Sequence, residues 1–217
     1  MVGSRRRRAA VDVLLVPTGG VADTGARGLS HEDRSRASAI GDPAERDRFF
    51  AGRRLLRHAL AERTGRPAEE LRIASGPNGQ AFLLGGGPHF SLASNEHWYA
   101  IAFADDCPVG AAIASTRDRA RLSAVVRPLL PARALEDIRV AAPSERTEAT
   151  LRWWVRMEAA VRACGASRDQ ADRCLSRVAC EVGDSLDDAV VAVAGCTDRP
   201  LQVRWNELRS APAVAPA

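Results

Sequence analysis

The stretch RWWVRMEAAVRACG, residues 152–165, decides how the rest of the chain is read. Its apolar residues recur at helical spacing. Leu151, Trp154, Val155, Glu158, Val161 and Arg162 fall near one face, and Gly165 is a stop signal. The spacing predicts one long helix over 144–164, opened by Ser144-Glu145-Arg146-Thr147. Glu148 sits one place later than a strict capping box requires. Glu158 is then a carboxylate on the inner face of a helix. Upstream, PVGAAIAS, residues 108–115, reads as a buried strand. Between the two, residues 117–138 read as one or two short helices broken at Pro128 and Pro131.

The first half of the chain has its own punctuation. Residues 11–16 alternate weakly and end at Pro17, which fits a strand. Residues 18–41 are rich in Gly, Ser, Asp and Arg and fit a loop or a short helix. Asp42-Pro43 then opens a helix, with Asp as N-cap and Pro in the first turn. Phe49, Leu55, Leu56, Ala59 and Leu60 form its apolar side, and Gly65 stops it. Short β-like runs follow at 71–74, 81–84, 89–93 and 98–104. They are separated by GPNG, by GGGP and by Ser94-Asn95-Glu96. After the long helix, residues 174–182, 188–195 and 201–205 read as three more strands. The pattern is α+β, with two lobes of similar plan, 1–106 and 107–209, meeting near 105–108. Residues 210–217 read as a disordered tail. No sequence repeat is strong enough to prove a duplication.

Composition narrows the class. The chain has 217 residues, 46% of them apolar, enough for one large core or two small ones. No apolar run is long enough to span a membrane. The start, MVGSRRRRAAVDVLLVP, has the charge order of a signal peptide, but its apolar part is short, contains Asp12 and lacks a small-residue cleavage site. It fits a first strand better. Net charge is +4, and all 31 basic residues are Arg, a bias that a GC-rich coding sequence would also produce. A mild positive excess suits an anionic small molecule or an acidic carrier protein. The charge is spread along the chain and only 5% of residues are aromatic, which argues against nucleic acid. The five Cys, at 107, 164, 174, 180 and 196, show no C-x-x-C spacing. Reduced thiols in a cytoplasm fit that count better than a disulfide framework or a zinc site.

The order of segments over residues 48–165 resembles the Sfp-type 4′-phosphopantetheinyl transferases, which move the phosphopantetheine arm of coenzyme A to a serine of a carrier protein. RFFAGRRLLRHAL is similar to that family's Arg-rich helix. GPNGQAFL is similar to its G-x-x-G-K-P-x-L turn, and PHFSLASN to its H-F-S-L-S-H-S strand. PVGAAIAS is similar to its V-G-V-D-I-E strand, and RWWVRMEAAVRACG to its W-x-x-K-E-A-x-x-K-x-x-G helix. The resemblance implies a pseudo-twofold pair of α+β lobes with a ligand cleft between them.

The departures carry the functional expectation. The Asp and Glu of D-I-E fall on Ala112 and Ala114. Two residues apart on a strand, these share a face. In the family they join the helix carboxylate, here Glu158, to hold Mg²⁺. One carboxylate is a poor cage for an ion that favours octahedral oxygen ligands. The family's helix Lys falls on Met157, its turn Lys on Gln80 and its strand His on Ser94. Neither Mg²⁺ nor coenzyme A is therefore expected as a cofactor, except under the reading of a working transferase with displaced ligands.

The residues that remain suggest other chemistry. A carboxylate in an apolar cleft without its metal has a raised pKa and can serve as acid or base. The alternative is that Glu158 pairs with an Arg, such as Arg162 at i+4. His89, at the head of its strand, is the expected helper. Arg53 and Arg54 are candidates for a phosphate or carboxylate, though on a helix one must face away. Ser94, Asn95 and His97, in a polar turn, and Met157 complete the expected substrate contacts. Cys107 with His89 or His97 would permit covalent chemistry, which no spacing supports. The expectation is a repurposed enzyme of bacterial polyketide or nonribosomal peptide biosynthesis. It would carry out metal-independent cyclisation, elimination or isomerisation on a pathway intermediate, itself free or carried on a carrier protein. An active transferase and a non-catalytic carrier-binding scaffold are the alternatives. No nucleic acid and no membrane are expected as partners.

Overall fold

In a computed structural model that describes residues 7–21, 29–186 and 188–208, the alternating Val11, Val13 and Leu15 lie in the middle of β1, Ala9–Pro17. This strand pairs antiparallel with β5, Trp98–Ala104, and parallel with β9, Leu201–Glu207. With β4, His89–Ser94, they form a sheet of order β4-β5-β1-β9. A second sheet has the order β6-β8-β7, from Val109–Ser115, Ala189–Gly195 and Ala179–Leu186, antiparallel throughout. A small hairpin joins β2, Ile73–Ser75, and β3, Ala81–Leu83.

Period-2 alternation sorts each strand between two faces. Val11, Val13, Leu15, Ala100 and Ala102 meet Val109, Ala111, Val191 and Val193, so the two sheets pack face to face. Val16, Ile101 and Phe103 face the other way, onto Leu55, Leu56 and Leu60 of α2, Pro43–Thr64. Those three Leu are fully buried, and each contributes about 1.5–3 kcal/mol relative to exposure. Ala112, Ala114 and Ala192 face Val155, Ala159 and Ala163 of α5, Arg146–Cys164. The result is a mixed α/β protein in the layer order helix, sheet, sheet, helix. The shorter helices are α1, His31–Ser38, α3, Arg119–Val126, α4, Ala132–Val140, and α6, Ala171–Leu175.

Helix α5 lies unusually close to β6. A Cβ on Gly110 would stand 2.1 Å from the Ala159 carbonyl oxygen and 2.5 Å from the Ala163 nitrogen. Helix backbone touches strand backbone there. Along the neighbouring edge, the Ala111 N–H donates to Ser91 Oγ on β4 at 3.0 Å. Arg162 Nη1 donates to the carbonyls of Ala111, at 2.9 Å, and Leu92, at 3.5 Å. One side chain from α5 thus ties the edge strands of both sheets and covers groups that would otherwise be unpaired.

Several sequence expectations hold. Asp42 caps α2 by accepting from the Ala44 and Glu45 N–H groups. Gly65 and Gly165 end α2 and α5 in the left-handed conformation, at φ +67° and +57°. Others need correction. The long helix starts at Arg146, after Glu145, without a side-chain cap; Ser144 is not part of it. The run read as a strand from 174 begins as α6, and β7 starts only at Ala179. Ala171 and Cys174, three apart, pack under α5, so the local period there is helical. The division at 106/107 follows the chain and not the sheets, because β9 returns to β1. The tail 210–217 lies outside the described residues. No helix among the described residues is long and apolar enough to cross a membrane.

Asp12 fastens β9 to β1 and to α2. Its carboxylate accepts from Arg204 Nε and Nη2, at 2.5 and 2.9 Å, and from Arg63 Nη1, at 2.9 Å. The hydrogen bonds from Arg204, then Arg63, hold its pKa below the ordinary 3.8 against the opposing effect of burial. A depressed pKa adds stability above the unfolded-state value, and that stability is lost as pH falls through the folded-state value. Asp12→Asn is therefore expected to unfold earlier than the parent at pH 7, with the two denaturation midpoints converging below about pH 3.8. An equal gap at both ends of a pH series contradicts the linkage. Gly110→Ala is expected to lose about 1–3 kcal/mol or more in urea unfolding, and an unchanged midpoint would contradict the backbone contact.

Candidate functional site

The helical repeat places Arg48, Gly52 and Arg53 on one side of α2, and Glu158, Val161 and Arg162 on one side of α5. These two faces, the turn between β2 and β3, and β4 enclose a cavity of about 460 Å³. Five guanidinium groups line it, from Arg36, Arg48, Arg53, Arg162 and Arg168, and Glu158 is the carboxylate in its wall. A second cavity of about 520 Å³ adjoins it across Arg48, Phe49 and Ser94. It reaches between α3 and Trp154.

Each charged group has a distinct environment. Glu158 is 8% exposed. It accepts from Arg168 Nε at 2.6 Å and from Arg168 Nη2 at 3.1 Å, a two-toothed pair. Arg168 also lies 5.3 Å over the Trp154 ring. Its hydrogen bond to Glu158 holds the guanidinium pKa above its ordinary value. Arg162 opens onto the cavity and is exposed there. Desolvation by the surrounding protein lowers its pKa most, Glu158 opposes this, and the charge of Arg168 lowers it further.

Arg53 rests on buried Asp33, with Nε 2.6 Å from Oδ1, and lies over the Phe49 ring at 5.9 Å. Arg57 Nη2 is 3.9 Å from the other Asp33 oxygen, and its Nη1 donates to the Leu71 carbonyl at 2.8 Å. Burial, more than the neighbouring charge of Arg53, lowers the Arg57 pKa, while Asp33 opposes the shift. The turn 76–79 docks on the end of α5, where Asn78 Nδ2 donates to the Gly165 carbonyl at 2.7 Å.

The structure brings together only part of the expected site. Glu158, Arg53 and Ser94 line the first cavity, and Ser94 and Asn95 line the second. Glu158 pairs with Arg168 and not with Arg162, so its surroundings are ionic and not apolar. His89 is exposed at the head of β4 and lines neither cavity. Its strand alternation turns Phe90 inward instead. Arg54 is buried and lines neither cavity, as the helical angle between 53 and 54 requires. Met157 is fully buried with Leu130, Ala134 and Ile138, on the side of α5 away from the cavity. Asn95 Oδ1 accepts from the His97 and Trp98 N–H groups, so Asn95 shapes the turn. His97 is half-buried there, 3.9 Å from Glu96, and lines neither cavity. Cys107 is a core residue whose thiol pKa burial raises.

Sequence reasoning missed Arg168, Arg36, Arg48 and Asp33. Arg168 stands beyond the helix stop, and no period links it to Glu158. Asp33 lies in a stretch without clear pattern.

Ala112 and Ala114 do share a face, and that face packs on α5. Their methyl groups offer no oxygen, and both Glu158 oxygens receive Arg168. Among the described residues no three His, Cys, Asp or Glu side chains are grouped to hold a metal ion. The residues present do not fit the Mg²⁺ that the resemblance implies. No family model matches this chain, and no curated protein matches it.

Removing Asp33 leaves two buried guanidinium groups without their counter-charge. Asp33→Ala is expected to cost about 3–5 kcal/mol in denaturant unfolding. A loss below about 1 kcal/mol, the range of an exposed pair, would mean that the triad is solvated.

Proposed function

We propose that this chain is a divergent Sfp-type 4′-phosphopantetheinyl-transferase-like protein, repurposed for metal-independent acid–base chemistry on an intermediate of bacterial polyketide or nonribosomal peptide biosynthesis. The carrying observation is the state of the expected metal position. Ala112 and Ala114 are packed as apolar core against α5, and Glu158 is engaged by a guanidinium. The site has been rebuilt around other interactions.

The topology supports a pseudo-twofold pair of lobes. The first runs β1, α2, β4, β5 with sheet order β4-β5-β1 before β9 is added. The second runs β6, α5, β7, β8 with sheet order β7-β8-β6. The order is the same in both, and each long helix ends at a left-handed glycine. The first cavity is lined by residues of both long helices.

Within this reading Glu158 gives or takes the proton. A carboxylate has about four lone-pair directions, and Arg168 occupies two, so the carboxylate is oriented and still reachable. Arg53 and Arg162 draw the anionic part of the substrate inward, and the apolar walls at Leu56, Phe90 and Val161 exclude water from the rest. His89 has no part in the step. The substrate is a small-molecule intermediate, free or held on the phosphopantetheine arm of a carrier protein.

Mass spectrometry of an apo carrier protein incubated with this protein, coenzyme A and Mg²⁺ tests the reading. No gain of the phosphopantetheine mass is expected, beside an active control transferase. A gain would overturn it in favour of a working transferase. Intermediates that accumulate when the gene is deleted are expected to be converted by the purified protein and not by Glu158→Gln. Equal complementation by Glu158→Gln would favour a non-catalytic carrier-binding scaffold.

A further inference from the structure

We propose that Cys164 and Cys174 are a redox pair, which on oxidation forms a reversible disulfide and closes segment 165–173, the stretch that carries Arg168. Neither thiol lines a cavity, and the pairing does not depend on the reaction assigned to Glu158. Cys164 is the last residue of α5, and the left-handed Gly165 turns the chain back, with the Ala166 N–H donating to the Val161 carbonyl at 3.0 Å. The chain then returns through Arg168–Gln170 to α6, where Cys174 is 3% exposed. Cys164 and Cys174 pack in one apolar cluster with Val161, Ala166 and Ala171. Cys196, just past β8, packs on the sheet side of α5. Cys164 is within hydrogen-bonding reach of both other thiols, and all three are free.

Among the described residues no three metal-ligating side chains are grouped to hold an ion, so the chemistry this contact offers is bond formation between two thiols. The connection selects the partner. Only a short turn separates 164 from 174, and closing so small a loop costs little chain entropy. Cys196 is held elsewhere, its N–H donating to the Pro108 carbonyl at 2.8 Å. Burial first, then contact with Cys174 and Cys196, pushes the Cys164 thiol up to about 12. A protonated thiol attacks slowly, so the pair answers to a sustained redox poise and not to a brief pulse of oxidant.

The oxidant is a low-molecular-weight disulfide. Cys164, the partly exposed member, gives up its proton, and its sulfur attacks one sulfur of that disulfide and releases a small thiolate. Cys174 gives up its proton, attacks the Cys164 sulfur and releases the second small thiolate. Two cysteine thiols become one disulfide, the oxidant is reduced to two small thiols, and the two protons end on them. The bond reaches the first cavity through the chain, because Gly165, Ala166, Ser167 and Arg168 form part of its wall. Joining the ends of segment 165–173 restricts how far Arg168 can move from Glu158.

The full chain is equilibrated in buffers of graded oxidised-to-reduced glutathione ratio, alkylated, digested and mapped by mass spectrometry. A peptide cross-linked between Cys164 and Cys174 is expected in the oxidising buffers and is lost on adding dithiothreitol. Mapping the parent chain keeps the result independent of whether a variant folds. Hydrogen exchange over 165–173 is expected to slow at least about tenfold in the oxidised protein. That slowing is expected to be absent from Cys174→Ala and kept in Cys180→Ser in the same buffers. No cross-link at any ratio, a bond from Cys164 to Cys196, glutathione adducts on single thiols alone, or exchange that oxidation leaves unchanged overturns the proposal.

Discussion

The contact of α5 with β6 at Gly110 governs the second half of the molecule. With no side chain at 110 and only methyl groups at Ala159 and Ala163, the helix comes down onto the strand backbone. The methyl groups of Ala112 and Ala114 pack on the same helix. The close contact also fixes the rotation of α5. Ala159 points into the sheet, Met157 points toward α4, and Glu158 is left at the edge, where the cavity opens. From the same rotation Arg162 reaches the edges of both sheets. The position of the acidic group therefore follows from a packing constraint set by three small residues.

Charge inside the protein is handled by pairing and by backbone carbonyls. Asp33 supports Arg53 and Arg57, and Arg57 also donates to carbonyls of residues 68 and 71. Arg162, exposed at the cavity, donates to the carbonyls of Ala111 and Leu92. A chain whose basic residues are all Arg can do this more readily than one with Lys, because a planar fork serves two acceptors at once. Buried guanidinium groups cost desolvation, so each is anchored on one side.

Much of the fold was legible because its signals are local. An Asp-Pro start and a left-handed glycine stop depend on nearest neighbours, and both bounded α2 as read. The alternation of β1 and the placement of Ala112 and Ala114 on one face follow from strand geometry alone. The failures share a cause. Ser144 has the chemistry of a cap, yet the chain enters α5 at Glu145, already in helical conformation. Cys174 and Leu175 read as the start of a strand until Cys174 is seen under α5. The site was less legible than the fold. Glu158 was identified, but the partner that defines its chemistry, Arg168, lies past the helix stop and meets it only in three dimensions. His89 and Met157 were named from the places they hold in the motifs of the resembled family, and their own positions on strand and helix turn them away from the cavity.

Strand β9 lies parallel beside β1, although nearly the whole described chain separates them. The sheet that β1 opens is thus completed only by β9, the last of the described strands. Until residues 201–207 emerge, one edge of β1 is open, and Asp12 lacks Arg204 opposite it. Contacts so distant in sequence are expensive in loop entropy and slow to form. The nascent chain holds a half-built sheet from the synthesis of β5 until that of β9, and anything that stops it before residue 201 leaves that edge available to other chains.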